Sequence, residues 1–322
     1  MKAIQFDRLG GPEVMHLREV PKPELRPGTV VVKNQVITVN FGDIFFTRGE
    51  YIVRPVFPDT PGMEAAGIVD AVAPDVTELR PGMRVAYIGM GSYADYTRIR
   101  PSRVIPLPDY MSFEQGAALP IAMLTAWHML HTLHDTRAGQ TVLVHSAAGG
   151  VGIAAVQIAK AAGARVIGTV SSEDKAALVR KFGADEVIDY EKQDFASEVM
   201  RLSAGRGIDL VLDAVGKPTF EKGLQCLAPF GHLILYGRAG GVPDPLNVMK
   251  LMERSLKLSG FVLPLIYSNH EVMRRGLEDS FRLIREGKLT VPIGATFALA
   301  QAAEAHRFVL SRRSTGKILL IP

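Results

Sequence analysis

The stretch Thr141–Gly152, TVLVHSAAGGVG, restricts the fold more than any other part of the chain. Its opening residues are short in number, apolar and rich in valine, as a strand covered on both faces must be. Glycines follow, and then GGVGIAAVQIAKAAG, whose apolar residues suit a buried helix. A strand, a tight glycine turn and a helix form a phosphate site. The first helix turn leaves N–H groups unpaired, and the helix dipole adds partial positive charge. Ser146, Gly149 and Gly152 stand at three-residue spacing. Gly149, Gly150 and Val151 bring backbone close to a pyrophosphate, and Gly152 lets the helix pack against the sheet. A purely structural strand–helix junction could carry the same glycines. The surrounding βαβ pattern favours a dinucleotide.

That pattern runs on from the turn. ARVIGTV (164–170) reads as a strand, EDKAALVRKFGA (173–184) as a helix, and EVIDY (186–190) as a strand. IDLVLDAVG (208–216), TFEKGLQCL (219–227) and HLILYG (232–237) continue the alternation. Strands alternating with helices predict a parallel sheet. The first 120 or so residues differ. They are rich in Pro, Gly and Val, with short strands predicted in GTVVVKNQVITVN (28–40), GIVDAVAPDV (67–76) and MRVAYIG (83–89). After about residue 262 come a predicted helix over 270–287, a shorter one around 300–311, and a last strand in GKILLIP. This tail is too small for a domain and is expected to return to the β-rich region. The expected division is 1–123 with 263–322, interrupted by 124–262.

Two domains also suit 322 residues, too many for one ordinary core. A single cysteine, Cys226, allows no internal disulfide and fits a reducing compartment. The N-terminal MKAIQFDRLGG alternates like a first strand and lacks the apolar core of a signal peptide. No run approaches the roughly 18 apolar residues of a membrane helix. The expected setting is the cytoplasm, with no membrane partner. The net charge of +4 is spread along the chain. Charge alone does not argue for nucleic acid, although a pI of about 9.1 leaves it open.

The second strand decides which dinucleotide is expected. NAD sites usually place an acid at its end, on the ribose 2′-hydroxyl. Here the tip is Val170-Ser171-Ser172, and Glu173 and Asp174 come later as first-turn helix residues. Lys175 follows. Two hydroxyls and a lysine suit a 2′-phosphate, so NADPH is preferred. The competing reading is a helix N-cap beside an ordinary surface lysine.

Taken together, VNFGDIFFTRGEY (39–51), PGMEAAGIV (61–69), FEQGAALPIAMLTAW (113–127), HSAAGGVG (145–152), GTVSSEDK (168–175) and TGKILLIP (315–322) resemble motifs of one family, in order. It is the quinone oxidoreductase (zeta-crystallin-like) branch of the medium-chain dehydrogenase/reductase superfamily. The resemblance covers nearly the whole chain. It implies an α/β protein: a GroES-like β-rich catalytic domain with an inserted Rossmann domain, a doubly wound parallel sheet. It also implies an active site in the cleft between the domains and a homodimer joined by Rossmann edge strands. By position, Lys175, Tyr190 and Arg312 would surround the 2′-phosphate and adenine end. Asn40 and Thr125 would lie near the nicotinamide, with Gly237 and Phe261 on loops touching it.

The wider superfamily includes zinc alcohol dehydrogenases. Their zinc needs a cysteine near the position of Asn40 or Phe41, and a Gly-His-Glu. This chain has Gly62-Met63-Glu64, with Met where the imidazole would be. Without thiolate or imidazole the usual zinc ligands are missing, and no catalytic metal is expected. His128, His131 and His134 are a rival signal, but steps of three drift around a helix. Unrelated histidines are the favoured reading. Met123 and Met129 are read as helix packing.

No Ser-His-Asp arrangement stands out. An alcohol without a metal has no Lewis acid to support its oxygen, whereas a quinone or enone accepts hydride by its own conjugation. The expected reaction is hydride transfer from NADPH to a quinone or similar conjugated carbonyl. The alternatives are an enoyl-thioester or alkenal reductase and, in another class, an RNA-binding or structural crystallin-like protein. Tyr51 is the best local proton donor, weighed equally against an ordinary packed tyrosine. Asn40 could bond the cofactor. Asp43 could orient the cleft, but capping the helix-like DIFFTRG is favoured.

Overall fold

The computed structural model describes residues 1–322, as two compact units. The first is Met1–Ile121 with Val291–Pro322, and the second is Ala122–Thr290. The fold is α/β: a β-rich unit and a unit built on a parallel sheet.

In the first unit the central strand is Val30–Val39, ten residues of which nearly all are buried. Partners on both sides explain this. It pairs antiparallel with Glu64–Val72, with Tyr96–Ile99 at its start and with Lys317–Ile321 at its end. In the last ladder Ile318 faces Val39 and Leu320 faces Ile37. That register carries Lys317 to the point where the central strand gives way to Asn40. The rest of the seven-stranded sheet is Arg84–Ile88, Val104–Pro106 and, parallel to the final strand, Ile293–Ala298. Its core holds Val32, Ile37, Val69, Tyr87, Ile318 and Leu320. The predicted return of the tail to this unit is therefore seen in both tail strands.

The second unit is a six-stranded sheet in which every pairing is parallel. Across it the strands run Glu186–Asp189, Arg165–Val170, Thr141–Val144, Ile208–Asp213, Leu227–Leu235, Lys257–Gly260. The chain starts in the middle with Thr141–Val144 and winds outward to Glu186–Asp189. It then returns to lay Ile208–Asp213 on the other side. This reversal opens a crevice outside the carboxyl ends of the two middle strands, where such sheets bind ligands.

One expected boundary is corrected. The sequence division ends the inserted unit at residue 262, but the unit continues to Thr290. The long helix His270–Arg285 packs with the second unit because Asp279 accepts the Trp127 indole N–H at 2.7 Å. Beyond it, the buried Gln157 amide donates to the Thr290 carbonyl at 2.6 Å and accepts the Thr290 N–H at 3.1 Å. The sequence predicts this helix but does not say which surface receives it.

Gln157→Leu removes both bonds and leaves the Thr290 backbone groups without them. Urea unfolding should show a loss of about 1–3 kcal/mol, the cost of buried polar groups left unpaired. An unchanged midpoint would mean that Gln157 does not hold this boundary.

Candidate functional site

In the second unit, the helix Gly150–Ala161 starts directly after the glycine turn, with Gly149 as N-cap and no side chain capping it. The intrahelical bonds begin with the Ile153 N–H to the Gly149 carbonyl. The N–H groups of Gly150, Val151 and Gly152 thus form an unblocked N-terminal turn, as an anion requires. Gly152 is obligatory: a Cβ there would lie 2.4 Å from the Ser146 carbonyl oxygen and 2.7 Å from the Ala147 Cα. Ser146 itself is in the left-handed region at φ 53°, uncommon for serine, and exposed. These features fit a pyrophosphate.

At the end of the second strand the capping part of the competing reading is seen. Ser172 is the N-cap of Glu173–Lys181, accepting the Lys175 N–H at 3.4 Å. The Lys175 ammonium also reaches back to donate to Ser171 Oγ at 3.3 Å. Glu173 turns outward to Arg180 at 2.7 Å. The strand tip therefore presents a lysine and hydroxyls, and no carboxylate. Tyr190 joins them, because its N–H bonds the Val170 carbonyl at 3.0 Å. Gly237 follows Leu227–Leu235, and a Cβ on it would meet the Ala214 carbonyl oxygen at 2.6 Å. Phe261 is buried and its N–H bonds the Leu235 carbonyl at 3.0 Å. All of these residues stand at carboxyl ends of the parallel strands. Thr125 is buried in Leu124–His128, a short α segment between two π-helical turns. Arg312 belongs to the first unit, exposed in the turn before the last strand.

The first unit holds a cluster that sequence reasoning only partly identified. Asn40 ends the central strand and caps the helix Phe41–Thr47. Asp43 is fully buried, and its Oδ2 accepts the Asn40 N–H at 2.7 Å. Asp43 therefore caps from the third position of the helix, with Asn40 as the N-cap residue, and not from the start of DIFFTRG as expected. The Tyr93 hydroxyl lies 3.2 Å from the same oxygen and 3.0 Å from His306 Nε2. Beside them Glu64, also fully buried, accepts from Thr38 Oγ, from Asn40 Nδ2 at 3.0 Å, from Lys317 Nζ at 2.8 Å and from the Ile121 N–H at 2.7 Å. Tyr51 is half-buried near Gly42 and Met63. Burial, and secondly the Asp43 charge, hold its phenol above the ordinary tyrosine range, so it keeps its proton. Thr38, Glu64, Tyr93, His306 and Lys317 were not foreseen. The one sequence signal was a lysine opening an otherwise apolar final strand.

These residues do not fit zinc. Met63 packs with Phe6, Val14 and Phe46 in an apolar cluster, and the Glu64 oxygens are already taken by an ammonium and three other donors. The three helix histidines turn to different neighbours. His128 bonds Thr132 at 2.9 Å, His131 lies against the Trp127 ring, and His134 meets His232 at 3.4 Å. Met123 and Met129 are buried, as packing residues should be.

Residues 26–109 match the alcohol dehydrogenase GroES-like domain, and residues 150–278 the family described as zinc-binding dehydrogenase. The chain is 40% identical to a quinone oxidoreductase of Pseudomonas aeruginosa, over 100% of this chain and 99% of that protein. It is 36% identical to a 2-haloacrylate reductase of a Burkholderia species, over 99% and 98%. A crystal structure of the Escherichia coli quinone oxidoreductase complexed with NADPH superposes with a TM-score of 0.96, at 33% identity and 100% coverage of both chains.

Burial pushes the Asp43 carboxyl up from 3.8 to about 7, against the Asn40 N–H, Lys317 and Tyr93, which lower it; Glu64 adds to the rise. The folded protein therefore binds this proton more tightly than the unfolded chain. The stability it contributes is complete below about pH 4 and is lost as pH rises through 7. Asp43→Asn cannot ionise. Its Tm should gain on the wild type by several degrees between pH 5 and pH 8, and parallel Tm profiles would refute a neutral Asp43.

Proposed function

The chain belongs to the quinone oxidoreductase branch of the medium-chain dehydrogenase/reductase superfamily, and from that membership we propose a zinc-independent reductase transferring hydride from NADPH to a quinone or similar conjugated carbonyl. The observation that carries the cofactor is the end of the second Rossmann strand, where Lys175 meets Ser171 and the nearest acid pairs elsewhere. When bound, NADPH supplies the hydride. The N–H groups of Gly150–Gly152 bind its pyrophosphate, with Ser146 and Gly149 shaping the turn. Lys175, Ser171, Ser172 and Tyr190 take the 2′-phosphate and adenine end. Thr125, Gly237 and Phe261 take the nicotinamide end, and by the family resemblance Asn40 and Arg312 are further cofactor-binding residues. A conjugated acceptor needs orientation and exclusion of water more than a Lewis acid. Reduction leaves an oxyanion or enolate that needs one proton. Tyr51 supplies it from a phenol that stays protonated.

A second reading, reduction of a conjugated carbon–carbon double bond, is favoured by the 36% identity to the 2-haloacrylate reductase. The same hydride would then pass to the β-carbon of an enone, an alkenal or an enoyl thioester. We also propose a homodimer. Lys257–Gly260 is an edge strand, and Val248, Met249, Met252, Leu258, Val262 and Leu265 are exposed apolar residues on or near it in sequence. Light scattering should give twice the chain mass.

NADPH oxidation should be fast with 9,10-phenanthrenequinone or benzoquinone, and slower with crotonyl-type acceptors. The reverse order would favour the double-bond reading, and no oxidation with any acceptor would remove both. Lys175→Ala should weaken NADPH by about tenfold or more, the scale of a lost charge-assisted phosphate contact, and leave NADH unchanged. Equal binding of NADH and NADPH by the wild type would overturn the cofactor preference. Tyr51→Phe should lower kcat by about 100-fold, the lower end of what a positioned general acid contributes. Full turnover would transfer the proton donation to solvent.

A further inference from the structure

We propose that Lys317 is a positioning residue whose buried ammonium, acting with Glu64, fixes the side-chain amide of Asn40 in one orientation. The proposal rests on the reading of Asn40 as a side chain that meets the nicotinamide or the acceptor.

An asparagine amide has two ends of nearly equal shape and opposite chemistry: a carbonyl that accepts and an NH2 that donates. Held only by shape, it can flip. Here Asn40 Oδ1 accepts from Lys317 Nζ at 2.7 Å, and Asn40 Nδ2 donates to Glu64 Oε1 at 3.0 Å. A lysine ammonium can only donate and a carboxylate can only accept. Turning the amide over would face NH2 with ammonium and carbonyl with carboxylate, so one orientation survives. The backbone is held as well, through the Asn40 N–H on Asp43 Oδ2. What remains for a ligand is the second lone pair of Oδ1 and the second Nδ2 hydrogen, which has only a long 3.4 Å contact to Thr38 Oγ. Asn40 is half-buried, so these can be reached.

Lys317 cannot do this work by touching the reactants. It is 3% exposed, and its ammonium also lies 2.8 Å from Glu64 Oε1. An effect on turnover passes through Asn40 or Glu64, which its ammonium bonds, or through the charge it places beside Asp43. The lysine arrives from the last strand, 277 residues along the chain from Asn40, on the register that sets Ile318 opposite Val39.

The test is a double-mutant cycle of Lys317→Met and Asn40→Ala, read by Tm, by NADPH affinity from fluorescence and by kcat. Lys317→Met should fold with a lower Tm. Its kcat or its NADPH affinity should fall by about tenfold or more, within the range that small misplacements cost. In the Asn40→Ala background the same substitution should cost less than about twofold, because the groups act as one unit. Unchanged kcat and NADPH affinity in folded Lys317→Met would overturn the proposal, and so would an equal loss in both backgrounds. If Lys317→Met does not fold, Lys317→Arg is carried through the same cycle. It keeps a cation for Glu64, but its longer planar head should displace the amide, with the same loss confined to the Asn40 background. Should the wild type oxidise NADPH with no acceptor, the functional reading fails. The clamp is then still judged by the coupling in NADPH affinity.

Discussion

The first unit is organised around one buried carboxylate. Glu64 has no exposure, and an ion removed from water must be paired and hydrogen-bonded to be tolerated. Its four donors come from Thr38 and Asn40 at the end of the central strand, from Ile121 and from Lys317 in the final strand. These segments are far apart in sequence. The carboxylate obliges them to meet, and it penalises any register of the last strand that would turn Lys317 away. Removing one partner of such a cluster leaves an uncompensated charge, which is why it specifies arrangement more strongly than an equal area of apolar contact would.

The Ile121 contribution shows how local structure serves that need. Phe113–Ala118 is an ordinary α-helix opened by the Ser112 capping box, and the chain then passes into a π-helical turn over Leu119–Met123. In a continuing α-helix the Ile121 N–H would be spent on the carbonyl four residues back. In the wider turn it donates to Glu64 instead, at 2.7 Å. Single π turns of this sort cluster at functional sites because they release a backbone group at a chosen point. Pro120, which has no N–H to lose, is well suited to its place there.

The legible part of the sequence was the part governed by local rules. Apolar runs and glycine turns located five of the six parallel strands, the glycine turn and the final strand within about five residues, while the strands Lys257–Gly260 and Ile293–Ala298 went unread. Met63 in place of an imidazole was readable at once as one usual zinc ligand missing. The buried Glu64–Lys317 pair was not legible. Thr38, Glu64 and Lys317 are single polar residues within apolar segments, and nothing local says that a lysine 253 residues away will answer a glutamate. The helix His270–Arg285 shows the same limit. Its periodicity is local, whereas its partner Trp127 is set by the tertiary fold.

Burial first, and neighbouring charge second, decides whether Asp43 keeps its proton. Glu64 and Asp43 share one nearby cation. Lys317 donates to Glu64 at 2.8 Å, while its attraction lowers Asp43 less than burial raises it. Two close carboxyls with one counter-ion do not both ionise readily, and the unpaired one keeps its proton. Below about pH 7 Asp43 therefore adds no charge to the cluster. In the proposed reaction, hydride transfer to a conjugated carbonyl builds negative charge on the acceptor. An additional buried anion nearby would oppose that charge in a medium that screens poorly. A neutral Asp43 leaves the half-buried Tyr51 phenol without a further anion beside it.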